Sequence, residues 1–581
     1  MAATSEINRV TAIVLRFMRR PILLLIIIYA IAMTGLVLMP GQDEHGNPTH
    51  MSFFHAFYFL TYTATTTGFG EIPYPFTDAQ RLWAIILLYT SVVAWIYAIG
   101  SIIKLVQNPH FQQAVAERSF ARSVRRINEP FFIVCGFGDT GSLLTRGLND
   151  AGCMAVVIDK DTERIKALVL RDYRKTMPGL CADASVPKHL IEAGVKHPNC
   201  RAVVALTDDQ EVNVKIAVMA RLLNPSVRVV CLSSMHRRGE YIETIGAVET
   251  MDPFDAFARW LGTALYAPLL HTLKHWLIGA HGFSLNKTFC PPMGTWILCG
   301  YGRMGQCLRE SLQAHGVRTI IIDPDMEGAE DLPSADKVLG YTNAETLRKA
   351  GIQRAVGVVA ATDNDSDNLG ILLTARSLNP NICIITRQNH HENELAFNAA
   401  NADLIMQPSL ITARNMLFDL ISPLIQTFLA HMLKHHETQL EAVVDRIGQT
   451  LRDSAPHLWT SAICHENASA VAILKKGGYK VTLGDIMRDP LDRTRTLKCV
   501  PLVLKRRDGA IITPDSAETL KARDEVLFCG TRGAHRQLDA SLNNEYTLRF
   551  LVTGEQEPRG YVMRWLAGKV SAQRAAPLQG S

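Results

Sequence analysis

Two glycine-rich segments carry the first chemistry legible in the chain. Gly136, Gly138 and Gly141 form G-x-G-x-x-G after the apolar run FFIVC, and Asp159 ends the next run, MAVVID, 18 residues past the last glycine. Gly300, Gly302, Gly305 and Asp323 repeat that arrangement, each displaced by 164 residues. A strand, a glycine turn, a helix and a later acidic residue make a dinucleotide-fold fingerprint. The glycines let backbone approach phosphates at the helix N-terminus, and the carboxylate takes a ribose hydroxyl. The two loops differ in charge: Asp139 in the first would repel a phosphate if it pointed inward, whereas Arg303 in the second is placed to pair with one. A third group, Asp363, Asp365 and Asp367 in TDNDSDN, sets three carboxylates at alternate positions, a pattern that could gather oxygens for a divalent cation. It is no EF-hand, because Asn368 and Thr374 stand where Gly and Glu are needed, and a solvated loop over the nucleotide cleft is the simpler reading. The HHENE run from His390, and the pair His431 and His435, have metal-compatible spacing but read more simply as surface residues.

These loops need a repeated scaffold. AVVALTDDQEVN matches GVVAATDNDSDN, with Thr207 over Thr362 and Asn213 over Asn368, and ARLLNPSVRVVC matches ARSLNPNICIIT, now displaced by 155. Short β-branched runs alternate with helical stretches in both copies, the pattern of a doubly wound α/β domain present twice. Composition agrees with a multidomain protein of 581 residues. The net charge of +5 is the remainder of 60 basic and 55 acidic residues and gives no reason to expect a nucleic-acid partner. Twelve cysteines without a CxxC pair exclude a disulfide scaffold or zinc ribbon and imply a reducing setting.

A mean hydropathy of +0.07 is high for so charged a chain, and the excess lies at the front. Residues 21–39 are uncharged, about 28 Å as a helix, and residues 82–106 carry only Lys104. Arg9, Arg16, Arg19 and Arg20 precede the first run, and Arg118, Arg122, Arg125 and Arg126 follow the second. The intervening connection is acidic, so the positive-inside rule puts both ends in the cytoplasm. Residues 52–67, too short to cross, read as a re-entrant helix, because non-helical backbone at membrane depth must be buried or line a watery cavity. A pore is the reason to build one.

The hexapeptide that ends this stretch, Thr66-Thr67-Gly68-Phe69-Gly70-Glu71, resembles the potassium-channel selectivity filter T-V-G-Y-G-D. In that chemistry, carbonyls replace the ion's hydration shell, glycines permit the backbone, and the aromatic packs behind. Thr67, Phe69 and Glu71 are departures from the pattern. Together with the two glycine fingerprints, the chain resembles prokaryotic two-transmembrane potassium channels with tandem RCK (regulator of potassium conductance) domains. The resemblance covers about residues 20–550.

It implies a homotetramer in the prokaryotic plasma (inner) membrane, since one filter strand cannot surround an ion. Three identical subunits and membrane lipid are therefore the expected partners. It implies K⁺ in the filter and a cytoplasmic ring of eight RCK domains that binds NAD⁺, ADP or ATP, with Ca²⁺ a ligand of some members. The chain is then no enzyme. Expected nucleotide contacts are Gly136, Gly138, Asp139, Gly141, Asp159, Asp183 and Thr207 in copy one, and Gly300, Gly302, Arg303, Gly305, Asp323, Asn343 and Thr362 in copy two. Asn343 replaces the Asp usual in the family. A glycine hinge is expected about twenty residues after the filter, but Ser91 stands near that place, and Gly100 is the alternative.

The expected fold is an α-helical pore domain (two helices plus a re-entrant pore helix; 1–106), a linker (107–130), a first Rossmann-like RCK domain (131–254) and crossover helices with a linker (255–294). A second RCK domain (295–408), further crossover helices (409–438), a small α+β C-terminal lobe (439–550) and a disordered tail (551–581) follow. A weakly selective cation channel with the same ring is the alternative. One of another class, a membrane-anchored NAD-dependent oxidoreductase, explains the fingerprints but neither the filter nor the lack of a catalytic set.

Overall fold

The computed structural model describes residues 2–43, 45, 47–71, 75–233, 248–277, 290–325, 333–434, 437–451 and 456–555. Most of the expected tail lies outside these residues. Among the described residues, two helices are long and apolar enough by themselves to cross a membrane, Val14–Leu38 and Asp78–Val106. Between them stand a short hairpin, β1 (Pro40–Gln42) with β2 (Pro48–His50), and the pore helix Phe53–Ala64. Thr77 starts the second long helix with a reciprocal capping box to Gln80. Alternating alanines and leucines set the packing: Ala32, Leu36, Ala56, Leu60 and Leu87 form one buried cluster shared by the three helices.

Gly35 faces the Trp83 indole so closely that a Cβ there would lie 2.4 Å from the ring. The ring is also held by a bond from its Nε1 to the Ala32 carbonyl at 3.4 Å. Gly35→Val is therefore expected to destabilise the helix pair by about 2–3 kcal/mol, the cost of overpacking. Thermal unfolding of the detergent-solubilised protein checks this, and an unchanged midpoint would contradict the packing.

The expected linker is largely a helix, Pro109–Arg125, started by Asn108, whose side chain accepts from the His110 and Phe111 amides. Asn before Pro is a helix-start signal. Lys188 ties this helix to Pro187–Glu192 through Glu117 at 2.5 Å and Glu192 at 3.2 Å.

The α/β repeat forms two six-stranded sheets. The first comprises β3 (Phe131–Cys135), β4 (Met154–Asp159), β5 (Gly179–Cys181), β6 (Cys200–Ala205), β7 (Arg228–Leu232) and β8 (Val248–Met251), ordered β5-β4-β3-β6-β7-β8. The second comprises β9 (Trp296–Cys299), β10 (Thr319–Asp323), β11 (Lys337–Leu339), β12 (Gly357–Ala360), β13 (Cys383–Arg387) and β14 (Leu404–Met406), ordered β11-β10-β9-β12-β13-β14. Each is a doubly wound parallel sheet with order 3-2-1-4-5-6, in which the order of strand addition reverses beside the first strand, where such folds bind ligands. The continuous apolar runs fit parallel strands buried on both faces. FFIVC is wholly buried, and burial pushes the Cys231 and Cys299 thiols up to about 12, the behaviour of small hydrophobes.

The duplication extends past the sheets. Helix Pro253–Tyr266 ends at Ala267 (φ −136°, ψ 69°) and helix Pro408–Ile421 at Ser422 (φ −134°, ψ 66°), each followed by proline, again 155 residues apart. Residues before proline are excluded from helical backbone, which forces the bend, 106° in the second pair. Although apolar enough to pass as a broken span, that pair is packed in a hydrophobic core. Phe418, Ile425, Phe428 and Met432 meet Leu273 and Trp276 of the first pair and Val500 and Leu527 of the terminal lobe.

The terminal lobe is one antiparallel sheet of β15 (His457–Ala462), β16 (Cys499–Arg506), β17 (Gly509–Ile512) and β18 (Glu525–Gly530), ordered β15-β18-β16-β17. Pro501 sits in β16 at a register shift, where a strand tolerates a missing amide donor.

Candidate functional site

The hexapeptide follows the pore helix directly. Thr66, Gly68 and Gly70 have φ of 59°, 64° and 74°, whereas Thr67 and Phe69 do not enter the left-handed region. Alternating handedness turns successive carbonyls to one side, the geometry a carbonyl-lined ion path requires. The Thr67 and Gly68 amides donate to the Tyr62 carbonyl at 2.9 and 3.3 Å. Behind them, Tyr62 Oη donates to the Glu71 carbonyl and Tyr58 Oη to Glu71 Oε2, both at 3.1 Å. Sequence reading missed these two tyrosines, although their spacing of four on a helix places them on one face. Phe69, expected to pack behind the filter, is 71% exposed in the single chain. Ser91 is buried with its hydroxyl on the Leu88 carbonyl at 3.3 Å, and Gly100 has open space around its Cα; both lie inside one continuous helix.

In the second sheet, the glycine loop joins β9 to helix Arg303–Ala314 at the switch point between β9 and β12. Its glycines do different work. Gly300 has φ +99°, and a Cβ on Gly305 would lie 2.2 Å from the Gly300 carbonyl oxygen. Those two shape the turn. A Cβ on Gly302 would meet nothing within 4 Å, so this glycine borders open space. Gly302 also starts the helix without any side-chain cap, leaving amides directed at that space, whereas Asn343 and Asn364 cap neighbouring helices.

The space is a cleft of about 980 Å³ lined by Gly300, Gly302, Arg303, Asp323, Asn343, Thr362, Asp363, Asp367 and Arg387, among others. Asp323 is fixed by the Tyr301 amide at 2.5 Å and the Asp325 amide at 2.7 Å, which leaves lone pairs for hydroxyl donors. Thr362 is locked by Asn368, which accepts its amide and hydroxyl at 3.0 and 2.8 Å. A phosphate-bearing nucleotide fits these residues: uncapped helix amides, two guanidinium groups and a held carboxylate converge on one cleft. Arg387, absent from the expected set, ends β13 and reaches the cleft only because β13 lies beside β12.

In copy one the glycine turn has the same construction, with Gly136 at φ +104° and a Cβ on Gly141 2.0 Å from the Gly136 carbonyl oxygen. Asp139 occupies the first position of the uncapped helix Asp139–Asp150, and Thr207 is locked by Asn213 as Thr362 is by Asn368. Asp159 is buried and paired with Arg164 at 3.6 Å, and Asp183 accepts the Ser185 amide at 2.8 Å.

The three aspartates of TDNDSDN do not gather. Asn364 starts a helix there, so alternate residues diverge by about 200°. Asp363 and Asp367 face the cleft, while Asp365 is buried and accepts from the Asn389 amide and side chain, the His390 amide and the Asn393 side chain at 2.7–3.0 Å. Burial opposes its ionisation, but these four bonds outweigh it and hold the carboxyl below its usual range. Among the described residues, no group of three His, Cys, Asp or Glu could hold a metal ion. Asp365 forms a structural clamp instead of joining the cation site that the spacing allows; His435 lies outside the described residues. Asp365→Ala is expected to cost about 1–2 kcal/mol by leaving these part-buried donors unmet. Urea unfolding checks this, with millimolar Ca²⁺ leaving the wild-type midpoint unmoved.

Comparison with known proteins agrees with this division. An "Ion channel" family model matches residues 22–108, and a "TrkA-N domain" model matches twice, at 132–253 and 296–408. Probable potassium channel protein 2 of Methanocaldococcus jannaschii is 32% identical over 156 residues, 26% of this chain and 46% of that protein. Potassium channel protein 1 of the same organism is 29% identical over 192 residues, 32% of this chain and 57% of that protein. The matches thus span about half the length of these relatives. A solved structure described as the GsuK channel bound to NAD aligns over 92% of this chain and 99% of its own, at 18% identity and a TM-score of 0.44.

Proposed function

We propose, from the premise that the chain belongs to the ion-channel proteins that carry TrkA-N (RCK) domains, that it is a homotetrameric potassium channel whose pore is controlled by a nucleotide in the second-copy cleft. The observation that carries the conduction reading is the alternating left-handed backbone at Thr66, Gly68 and Gly70 after a re-entrant helix. Four such strands are needed to surround an ion. The basic residues flanking the spans support an inner-membrane protein with its N-terminus and RCK domains in the cytoplasm. NAD⁺, ADP and ATP share the phosphates and ribose that the cleft suits. A tenfold preference for the open state at each of four clefts sums to about 5.5 kcal/mol, enough to move a pore from 1:99 to 99:1 open.

Liposome flux of K⁺ and Na⁺, with and without NAD⁺ or ADP, tests this. The expected result is K⁺ flux well above Na⁺ flux and changed severalfold by nucleotide. Equal fluxes would replace it with the weakly selective cation channel. No flux, together with cofactor reduction, would replace it with the oxidoreductase.

A further inference from the structure

The crossover helices are exchanged between the copies. Helix Pro253–Tyr266, which continues from β8 of the first sheet, packs on the glycine helix Arg303–Ala314 of the second copy. Helix Pro408–Ile421, which continues from β14, packs on the glycine helix Asp139–Asp150 of the first. The two junctions are equivalent by the 155-residue displacement but differ in content. At one, Phe254 is inserted beside the glycine helix, 4% exposed, with the guanidinium carbons of Arg303 and Arg387 at 5.1 and 4.7 Å from its ring centre. At the other, the counterparts are Ser409, Asp139 and Leu232, and a cleft of about 740 Å³ stands open beside Ser409 and Asp139.

Two like charges sharing one aromatic ring are mutually unfavourable, and each also lines the nucleotide cleft. Among the described residues, buried Arg387 Nε finds no hydrogen-bond partner. Burial holds its pKa below the ordinary value, Asp363 opposes the shift, Arg303 adds to it and Asp365 opposes it. The ring is a weaker partner for a guanidinium than a phosphate oxygen, which accepts short charge-assisted bonds. Phe254 stands three residues after the last residue of β8, so any movement of the ring is passed along a short connection to the edge of the first sheet.

We propose that Phe254 reports occupancy of the second-copy cleft to the first copy. Resting on the nucleotide reading above, a phosphoryl group in the cleft draws Arg303 and Arg387 off the ring. Released from both cations, helix Pro253–Tyr266 and strand β8 loosen.

The test is hydrogen–deuterium exchange of residues 248–266 in the full-length protein, with and without ADP, alongside calorimetric ADP binding. In the wild type, ADP is expected to raise exchange in this segment severalfold. Phe254→Leu removes the aromatic face: it is expected to bind ADP as tightly as the wild type, or up to about tenfold more tightly, and to show no ADP-dependent change in exchange. Phe254→Tyr keeps the face and the response, which separates loss of the contact from misfolding. A wild type that binds no ADP overturns the nucleotide reading, and this proposal with it. A wild type that binds ADP, with Phe254→Leu responding equally, overturns the role of Phe254 alone. Loss of ADP binding in Phe254→Leu, with Phe254→Tyr normal, also overturns it, because the ring would then belong to the binding site.

Discussion

Replacing Gly68 by alanine is expected to lower K⁺ flux at least about a hundredfold while leaving ADP binding unchanged. The obstacle is the backbone and not packing, since a Cβ at Gly68 meets nothing within 4 Å in the chain, but its φ of +64° is costly for an L-residue by about 1–2 kcal/mol. One such residue is tolerated, as Thr66 at φ +59° shows, yet four alanines around one axis would sum to about 4–8 kcal/mol. The cheapest relief is rotation of the adjoining peptide, which turns a carbonyl away from the ion path and leaves a dehydrated cation short of ligands. Liposome flux and calorimetry on the same preparation decide the matter: wild-type flux from Gly68→Ala would remove the segment from the conduction path.

The second large effect separates two glycines three residues apart. Gly302→Val is expected to weaken ADP binding by about a hundredfold or more, equivalent to about 3 kcal/mol, with an unchanged unfolding midpoint. Gly302 has ordinary backbone (φ −66°, ψ −168°) and borders open space, so valine fits the fold and fills the place where a phosphate meets the helix amides. Gly305→Ala places a methyl 2.2 Å from the Gly300 carbonyl oxygen, so it is expected to lower the unfolding midpoint and ADP binding together. Undiminished ADP binding by Gly302→Val would move the ligand elsewhere.

Much of this was legible because periodicity and special backbone leave direct marks. Uncharged runs near 20 residues, all-apolar strands and glycines at turns that exclude a Cβ are properties of single segments. What escaped was assembled by topology. Arg387 reaches the cleft through the adjacency of β13 and β12, although its displacement by 155 onto Leu232 was a usable clue to asymmetry. Asp365 looked like one of three ligands because alternate residues share a side only in extended chain, and Asn364 starts a helix. The segment after the second span reads as a linker by its position, although Asn108-Pro109 marks a helix start. Phe254 is one apolar residue among many in sequence. Only the exchange of crossover helices sets it between two arginines.

That exchange has a consequence for how unlike the two clefts can be. Two separate polypeptides of one copy each, trading the same helices about a twofold axis, would possess identical seats, because a closed symmetric pair repeats every residue. Any substitution would alter both at once. Joining the copies in one chain lifts that constraint: arginine at 303 coexists with aspartate at 139, phenylalanine at 254 with serine at 409, and arginine at 387 with leucine at 232. The tandem is a covalent pseudo-dimer, free to assign a receptor to one half and a different surface to the other.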